Sequence, residues 1–242
     1  MIPIKAEAAW RGHSDCEQCG IKDVVLFGDL QEEDFKLIHR PIDDIEYPSA
    51  GVLFHQQDEA KAIFTLRSGL VKLTRLLPDG TERIVRVLRK GDVIGLEATA
   101  GKHYDTGAYA LTPARVCRIP VDVILRLSTE SPRLHQRLMQ KWTHQLHEAD
   151  DWISELAHGT ARQRVIRLIL KLQIPQTAPQ LSQDTQAMLF SRDEMAMMLG
   201  LTVETISRII ASLTRAQSIE RLDKIGRLYR IDIKKLQQEL DT

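Results

Sequence analysis

The pattern of apolar residues changes near Pro132, and this change constrains the fold more than any other feature of the sequence. Between residues 27 and 120, short runs of β-branched or alternating residues are separated by Gly, Pro and Asp, as in strands joined by tight turns. After Pro132 the apolar residues recur every three or four positions, as on one face of an α-helix. The sequence therefore predicts an α+β chain in which a β domain precedes the helices.

The first part of the chain predicts a β-roll, a double-stranded β-helix or jelly roll, over residues 27–132. Asp79-Gly80 is a strong hairpin signal between two of its strands, because Gly tolerates the positive φ of a tight turn. The strands are expected at Val52–Phe54, Ala62–Leu66, Leu70–Leu76 and Arg83–Leu88.

A long helix is predicted over residues 133–158. Its apolar residues follow one another at alternating spacings of three and four, which places them in a single seam: Met139, Trp142, Leu146, Ala149, Ile153 and Leu156. A seam of this kind joins two helices in a coiled coil, so it predicts a homodimer. The alternative is that the seam packs on its own domain. Because no ionisable side chain interrupts it, dimerisation should not depend on neutralising a buried charge.

Residues 160–242 contain a helix-turn-helix pattern. Ser191 and Glu194 have the spacing of a capping box, a helix over residues 194–199 stops at Gly200, and a second helix begins near Thr202. In a helix-turn-helix the second helix enters the major groove of DNA. We expect its buried side to be Ile206, Ile209 and Ile210. Residues 174–188 are expected to form a loop, and runs at 219–222 and 227–231 a hairpin wing around 223–226.

The opposite face of the second helix carries residue types that suit base edges: Val203, Glu204, Ser207 and Arg208. Arginine donates two hydrogen bonds to guanine, glutamate accepts one from cytosine, and serine serves a base or a phosphate. An ordinary Glu–Arg surface pair is the alternative interpretation. The expected DNA surface also includes Ser191 and Thr202 at the helix starts, with Lys224 and Arg227 of the wing near phosphates.

Charge supports a nucleic-acid partner for this end of the chain. The whole sequence is neutral, yet residues 160–242 contain 13 basic and 9 acidic residues, against 20 and 24 before them. No apolar stretch is long enough for a membrane span, and residues 1–20 lack the apolar run of a secretion signal. We therefore expect a cytoplasmic protein with no membrane partner.

The run from Leu199 to Arg208 resembles the DNA-reading motif of the CRP/FNR superfamily, in its FNR (fumarate and nitrate reduction regulator) branch. The resemblance covers nearly the whole chain: an arm at residues 1–26, the β-roll, the long helix and a winged helix-turn-helix. It implies a homodimeric transcription regulator that reads TTGAT half-sites of a TTGAT-N4-ATCAA palindrome through Glu204, Ser207 and Arg208. Loops such as residues 77–82 would then contact RNA polymerase.

The resemblance also bears on what the regulator senses. Cyclic-nucleotide receptors of the superfamily carry an Arg-Ser or Arg-Thr pair beyond a Gly-Glu motif, whereas residues 95–108 here contain no arginine. Cyclic AMP is therefore not expected as a ligand.

Three cysteines are the remaining candidate site: Cys16 and Cys19, a C-x2-C pair, and the distant Cys117. An odd number of cysteines without an export signal argues against a disulfide scaffold. In the FNR family, a similar set with a third arm cysteine holds an oxygen-labile [4Fe–4S] cluster, but the third arm position is Val25 here. The resemblance implies a cluster whose fourth ligand is not cysteine, with these among the candidates: His13, Asp15 and Asp23.

Other interpretations remain open at this point. The thiols could serve another metal or redox role, or none, and Cys117 could be a small core residue. An enzyme would need clustered histidines and a carboxylate, or a nucleophile beside a base, and the sequence shows neither pattern. A pure interaction module with a degenerate DNA-binding end is disfavoured by the intact capping box and glycine turn.

Overall fold

The computed structural model describes residues 10–13, 26–27, 32–35, 38, 40–173 and 185–240. The chain forms two compact units, residues 1–147 and 148–242, and the boundary falls inside the long helix. Several residues of the predicted cluster site lie outside the described residues: Asp15, Cys16, Cys19, Asp23 and Val25.

The elements alternate as the sequence predicts, with strands before Pro132 and mainly helices after it. In chain order they are β1 (Trp10–His13), α1 (Glu32–Phe35), β2 (Asp43–Tyr47), β3 (Val52–Phe54), β4 (Ala62–Ser68), β5 (Val71–Leu76), β6 (Glu82–Leu88), β7 (Val93–Ile94), a 3-10 helix (Leu96–Thr99), β8 (Gly107–Ala110), β9 (Ala114–Pro120), α2 (Val121–Glu130), α3 (Pro132–Leu156), α4 (Ala161–Lys171), β10 (Thr185–Met188), α5 (Arg192–Leu199), α6 (Val203–Arg215), β11 (Ile219–Arg221), β12 (Leu228–Ile231) and α7 (Ile233–Gln238).

The first unit contains the predicted β-roll, built from two antiparallel sheets. Their strand orders are β1-β2-β9-β4-β7 and β3-β8-β5-β6. Apolar side chains from both sheets form one core, in which the Phe54 ring stacks on the rings of Phe64 and Tyr104 at centroid distances of 5.8 and 3.6 Å. All four predicted strands are present, with ends that differ by at most two residues.

The predicted hairpin joins β5 and β6. Gly80 has a φ of +81°, and the Thr81 backbone N–H donates to the Asp79 carboxylate at 2.9 Å. The local chemistry of Asp79-Gly80 therefore forms the turn as expected.

The first turns of α3 belong to the β-roll. Leu134 and Leu138 are buried in its core, alongside residues of α2. Farther along the helix, Lys141 donates to the Gly91 carbonyl at 2.9 Å, and Gln145 donates to the Val93 carbonyl at 2.6 Å. One side of α3 is thus attached to the sensor unit as far as Gln145.

The second unit packs α4, α5 and α6 beside a three-stranded sheet of order β10-β12-β11. Thr160 and Gln163 form a capping box at the start of α4, whose apolar stripe is fully buried: Val165, Ile166, Leu168 and Ile169. The prediction of a loop throughout residues 174–188 is wrong for Thr185–Met188, which pairs with β12 as β10. Four residues of mixed polarity carry too little periodicity to identify a strand that depends on a distant partner.

No single helix in the described part of the chain has the length and apolar character of a membrane span. The bent pair α5 and α6 meets those criteria together, by length and composition only.

Candidate nucleic-acid interface

The start of α5 and the turn after it have the predicted geometry. The Ser191 hydroxyl accepts from the Glu194 backbone N–H at 3.1 Å, and the Glu194 carboxylate accepts from the Ser191 backbone N–H at 3.0 Å. Gly200 ends the helix in the left-handed region at φ +62°. The helix begins at Arg192, two residues earlier than predicted, because the capping box places Ser191 at the N-cap. Across this turn α5 and α6 are bent by 111°, as in a helix-turn-helix.

The buried side of α6 differs slightly from the prediction. Thr202 caps the helix, with its hydroxyl accepting from the Thr205 backbone N–H at 3.2 Å. Ile206 and Ile210 are buried as predicted, but Ile209 is only partly buried and Leu213 is the third core residue. Positions 206, 210 and 213 follow the helical period more closely, so they share one narrow stripe.

The predicted reading face of α6 is on the surface. Val203, Glu204, Ser207 and Arg208 are all exposed, within the first two turns of the helix. Ala211 extends this face by one more turn. Its position at i+4 from Ser207 was the available signal, but a methyl side chain does not suggest a polar contact. The four predicted residues are therefore brought together on one accessible ridge.

Glu204 is poised as a hydrogen-bond acceptor. Its own backbone N–H and the Thr202 hydroxyl hold the pKa of its carboxyl below the usual range, with a smaller effect from the charge of Arg208. The Arg208 guanidinium makes no hydrogen bond within residues 185–240, so its fork of donors is available to a ligand. This geometry favours base reading over the simple surface pair.

The wing is a hairpin of β11 and β12, in which Arg221 lies opposite Tyr229. Lys224 is exposed at its turn, as a phosphate contact requires. Arg227 is partly buried, and its guanidinium lies 3.5 Å from the Glu194 carboxylate. Arg227 therefore links the wing to α5, an interaction that links two distant segments and that the sequence pattern did not indicate.

Arginines of α4 hold the end of α3, and the sequence analysis did not identify them. Arg164 donates to the Leu156 carbonyl at 2.7 Å and to the Leu199 carbonyl, while Arg167 donates to the His158 carbonyl at 2.7 Å. These carbonyl groups lie at or just past helix C-termini, where acceptors are unsatisfied and the helix dipole is negative. Within the second unit, the end of α3 is thus joined to the helix-turn-helix.

The predicted seam of α3 is largely exposed. Leu146 and Ile153 are 61% and 66% exposed, Met139 and Trp142 are also exposed, and Ala149 is partly buried. Leu156 does not belong to this surface, because it is only 6% exposed. Its side chain is buried within the chain itself at the end of the helix, where tertiary packing replaces the seam.

Cys117 lies on β9, between two neighbouring strands. Its register partners are Asp44 on β2 and Thr65 on β4, so the three side chains share one face of the sheet. The Asp44 carboxylate accepts from Arg67 at 2.6 Å and from Arg115 Nε at 2.8 Å, and these bonds raise the pKa of Arg115. Cys117 is 8% exposed and also belongs to the hydrophobic core cluster, as its structural interpretation predicts.

Family profiles match most of the described chain. The cyclic nucleotide-binding domain profile covers residues 44–131, and the Crp-like helix-turn-helix domain profile covers residues 163–239. These matches fall inside the predicted sensor and DNA-binding domains.

Curated relatives are similar at low identity. The chain is 28% identical to the fumarate and nitrate reduction regulatory protein of Salmonella typhi over 202 residues, 83% of this chain and 81% of that protein. It is 27% identical to the anaerobic regulatory protein of Pasteurella multocida over 201 residues, 83% and 74% of the two chains. Regulatory protein HlyX of Actinobacillus pleuropneumoniae is 24% identical over 218 residues, 90% and 91%.

Solved structures share the fold. FixK2 from Bradyrhizobium japonicum has a TM-score of 0.70 at 21% identity, over 82% of this chain and 97% of that one. TTHB099, a CRP-family transcriptional regulator from Thermus thermophilus, has a TM-score of 0.68 at 25% identity, over 81% and 96%.

Proposed function

The chain belongs to the CRP/FNR superfamily of transcription regulators, and on that premise we propose that it is a homodimer that reads palindromic DNA through Glu204, Ser207 and Arg208. Regulators of this family bind DNA and act as dimers. The observation that carries the assignment of residues is the exposed ridge on α6, directly after the Gly200 turn. Such regulators act where the chromosome is, so a cytoplasmic location is part of the proposal.

The proposed half-site is TTGAT, within a palindrome similar to TTGAT-N4-ATCAA. Arg208 would donate to O6 and N7 of its guanine, and Glu204 would accept from N4 of the paired cytosine. Two ridges separated by one turn of DNA, about 34 Å, would contact the two half-sites.

Binding to matched duplexes tests this reading. One duplex carries the palindrome, and the other has its G·C pair replaced by A·T in both half-sites. Arg208→Ala should cost about 1–3 kcal/mol per half-site on the first duplex and much less on the second. Equal losses on both would mean that Arg208 contacts phosphate only. Failure of the wild-type protein to prefer the palindrome over an unrelated duplex would remove the proposal.

We assign the dimer interface to the exposed stripe of α3: Met139, Trp142, Leu146, Ala149 and Ile153. Large apolar side chains in one row are costly to leave in water, and a second copy of the helix buries them. No ionisable residue lies among them, so dimerisation should not vary with neutralisation of a charge. Sedimentation at low micromolar concentration tests this, and a monomer there would contradict it.

The proposed signal is oxygen or redox state, received by an iron–sulfur cluster on Cys16, Cys19 and Cys117. Strand β1 supports this assignment, because it pairs with β2 in the sheet that contains Cys117 and ends at His13, three residues before Cys16. Strands β1 and β9 flank β2, so they lie about 10 Å apart, a distance that three extended residues can span. The guanidinium groups of Arg67 and Arg115 would favour a thiolate at Cys117.

The described part of the sheet therefore fits one corner of such a site. A bound cluster would supply the reactivity toward oxygen, and the chain would supply three thiolates and one ligand other than cysteine, since Val25 cannot bind iron. Purification without oxygen, an iron and sulfide assay, and a visible absorption spectrum test the proposal. Cys117→Ser should then lower the iron content. Iron-free protein that binds its operator tightly would exclude the cluster.

The alternative is the same DNA-binding regulator without a cluster, controlled by its level or by another signal. The burial of Cys117 in the hydrophobic core favours this second candidate. Under both, the exposed loop at residues 77–82 is the proposed contact to RNA polymerase. Transcription assays with and without oxygen separate the two.

A further inference from the structure

The tip of the wing exposes an isoleucine. Ile225 is 83% exposed, more than any other large hydrophobic residue in the described part of the chain. It lies between Lys224 and Gly226, in the connection from β11 to β12. An isolated apolar side chain on a surface needs no special explanation, so the structure of the turn decides whether this one is informative.

The turn is held rigidly by its own polar groups. The Asp223 carboxylate accepts from the backbone N–H groups of Gly226 at 2.7 Å and Arg227 at 3.0 Å. The Arg221 guanidinium donates to the Asp223 carbonyl at 2.7 Å and to the Lys224 carbonyl. With these groups bonded inside the turn, Ile225 is presented outward on a preorganised loop, and its contact with a partner would order little additional chain.

The charges around the tip favour a polyanion as that partner. The hairpin 219–231 contains four basic and two acidic residues. The Asp223 carboxylate is used within the turn, and Glu220 pairs with Arg230 at 2.7 Å. Lys224 is exposed immediately beside Ile225. An apolar tip beside a cation suits the minor groove of DNA, where phosphates line the edges and deoxyribose forms the walls.

We propose that Ile225 enters the minor groove flanking each half-site and acts as an apolar wedge there, while Lys224 contacts the adjacent phosphate. This inference rests on the proposed DNA-binding function and deepens it. Wedges of this type partly unstack a base step, and pyrimidine–purine steps such as TA unstack most easily. Ile225 therefore makes affinity depend on flanking bases that no polar side chain of α6 reads.

The test measures binding of the full-length protein to two palindromic duplexes over a salt series. The duplexes share the same half-sites, but one has TA steps in its flanks and the other has G·C pairs. The wild-type protein should prefer the TA flanks severalfold. Ile225→Ala should lose that preference and weaken binding to the TA duplex by about five- to tenfold, with the salt slope unchanged. Ile225→Leu should retain the preference, because it keeps the apolar volume.

Two control variants separate this contact from general effects. Lys224→Ala should reduce the salt slope by about one on both duplexes while the flank preference persists. Leu76→Ala removes an exposed leucine next to the β5–β6 hairpin of the other unit and should change neither quantity. Circular dichroism should show the Ile225 variants folded, since the side chain has little to pack against.

The outcomes are distinguishable. If Ile225→Ala binds both duplexes like the wild-type protein, the inference is overturned while the proposed function stands. If DNA binding is unchanged but transcription with RNA polymerase falls, the tip contacts protein, and the inference is again overturned. If the wild-type protein binds neither palindrome, both the inference and the proposed function fail.

Discussion

The exposed ridge of α6 and the surroundings of Cys117 are assembled in opposite ways. The four residues of the ridge lie within six consecutive positions, and their caps and turn adjoin them in sequence. Cys117 obtains its neighbours Asp44 and Thr65 only through the register of three strands that are distant in sequence. A local site tolerates change elsewhere, whereas a shift of one residue in either strand pair would turn its neighbours to the opposite face.

The largest expected effect breaks the link between the local ridge and the dimer. Leu146→Glu places a charge in the exposed stripe of α3 and should leave α6 intact while reducing palindrome affinity about 100-fold, because bivalent contact is lost. Sedimentation should show monomer. Gln140→Glu adds the same charge at an exposed position off the stripe and is the control. A dimeric Leu146→Glu protein would mean that the ridge pairs through another surface.

The next prediction concerns the long-range site. Asp44→Ala leaves Arg67 and Arg115 without their shared acceptor and should lower the free energy of unfolding of the β-roll by about 2–3 kcal/mol, because charged groups lose hydrogen bonds. Glu46→Ala changes an exposed residue of the same strand and should cost less than about 0.5 kcal/mol. Urea unfolding measures both. Equal costs would show that the Asp44 bonds contribute nothing to stability.

A smaller effect is expected where structure is local. Thr202→Ala removes the cap of α6 and should cost about 1 kcal/mol of unfolding free energy, whereas Thr202→Ser keeps the hydroxyl and should cost much less. Hydrogen exchange in the first turn of α6 should rise in the alanine variant. The pKa of Glu204 should also rise toward its ordinary value, since the Thr202 hydroxyl lowers it. Unchanged exchange would exclude a capping role.

The smallest effect contrasts two carboxyl groups in pH titrations of stability. Burial, then the charge of Asp105, raises the pKa of Glu97 above its ordinary 4.5, so the native state binds more protons and stability falls as pH rises through that window. The pKa of Glu204 is lowered, so its contribution is present above 4.5 and is lost as pH falls through its native value. Glu97→Gln should remove the first slope and Glu204→Gln the second. Unfolding midpoints between pH 3 and pH 7 measure both, and unchanged slopes would contradict the assignment.

Predictions from sequence succeeded where the determinants are close together along the chain. The Ser191–Glu194 capping box, the Gly200 turn and the Asp79-Gly80 hairpin each depend on a few adjacent residues, and each has the expected geometry. They were less accurate at boundaries, as at Arg192, and for β10, which is a strand only because β12 pairs with it. The apolar stripe of α3 was identified by its spacing, but the same spacing wrongly included Leu156.

Local sequence determined the exposed ridge of α6, because helical period and capping act over one or two turns and need no distant partner. Tertiary structure alone decided that Arg227 binds Glu194, that Arg164 holds the end of α3, and that Asp44 and Thr65 flank Cys117. Those contacts depend on strand register and on packing between elements, and the spacing of residues in one segment carries no information about which distant group comes to lie beside it.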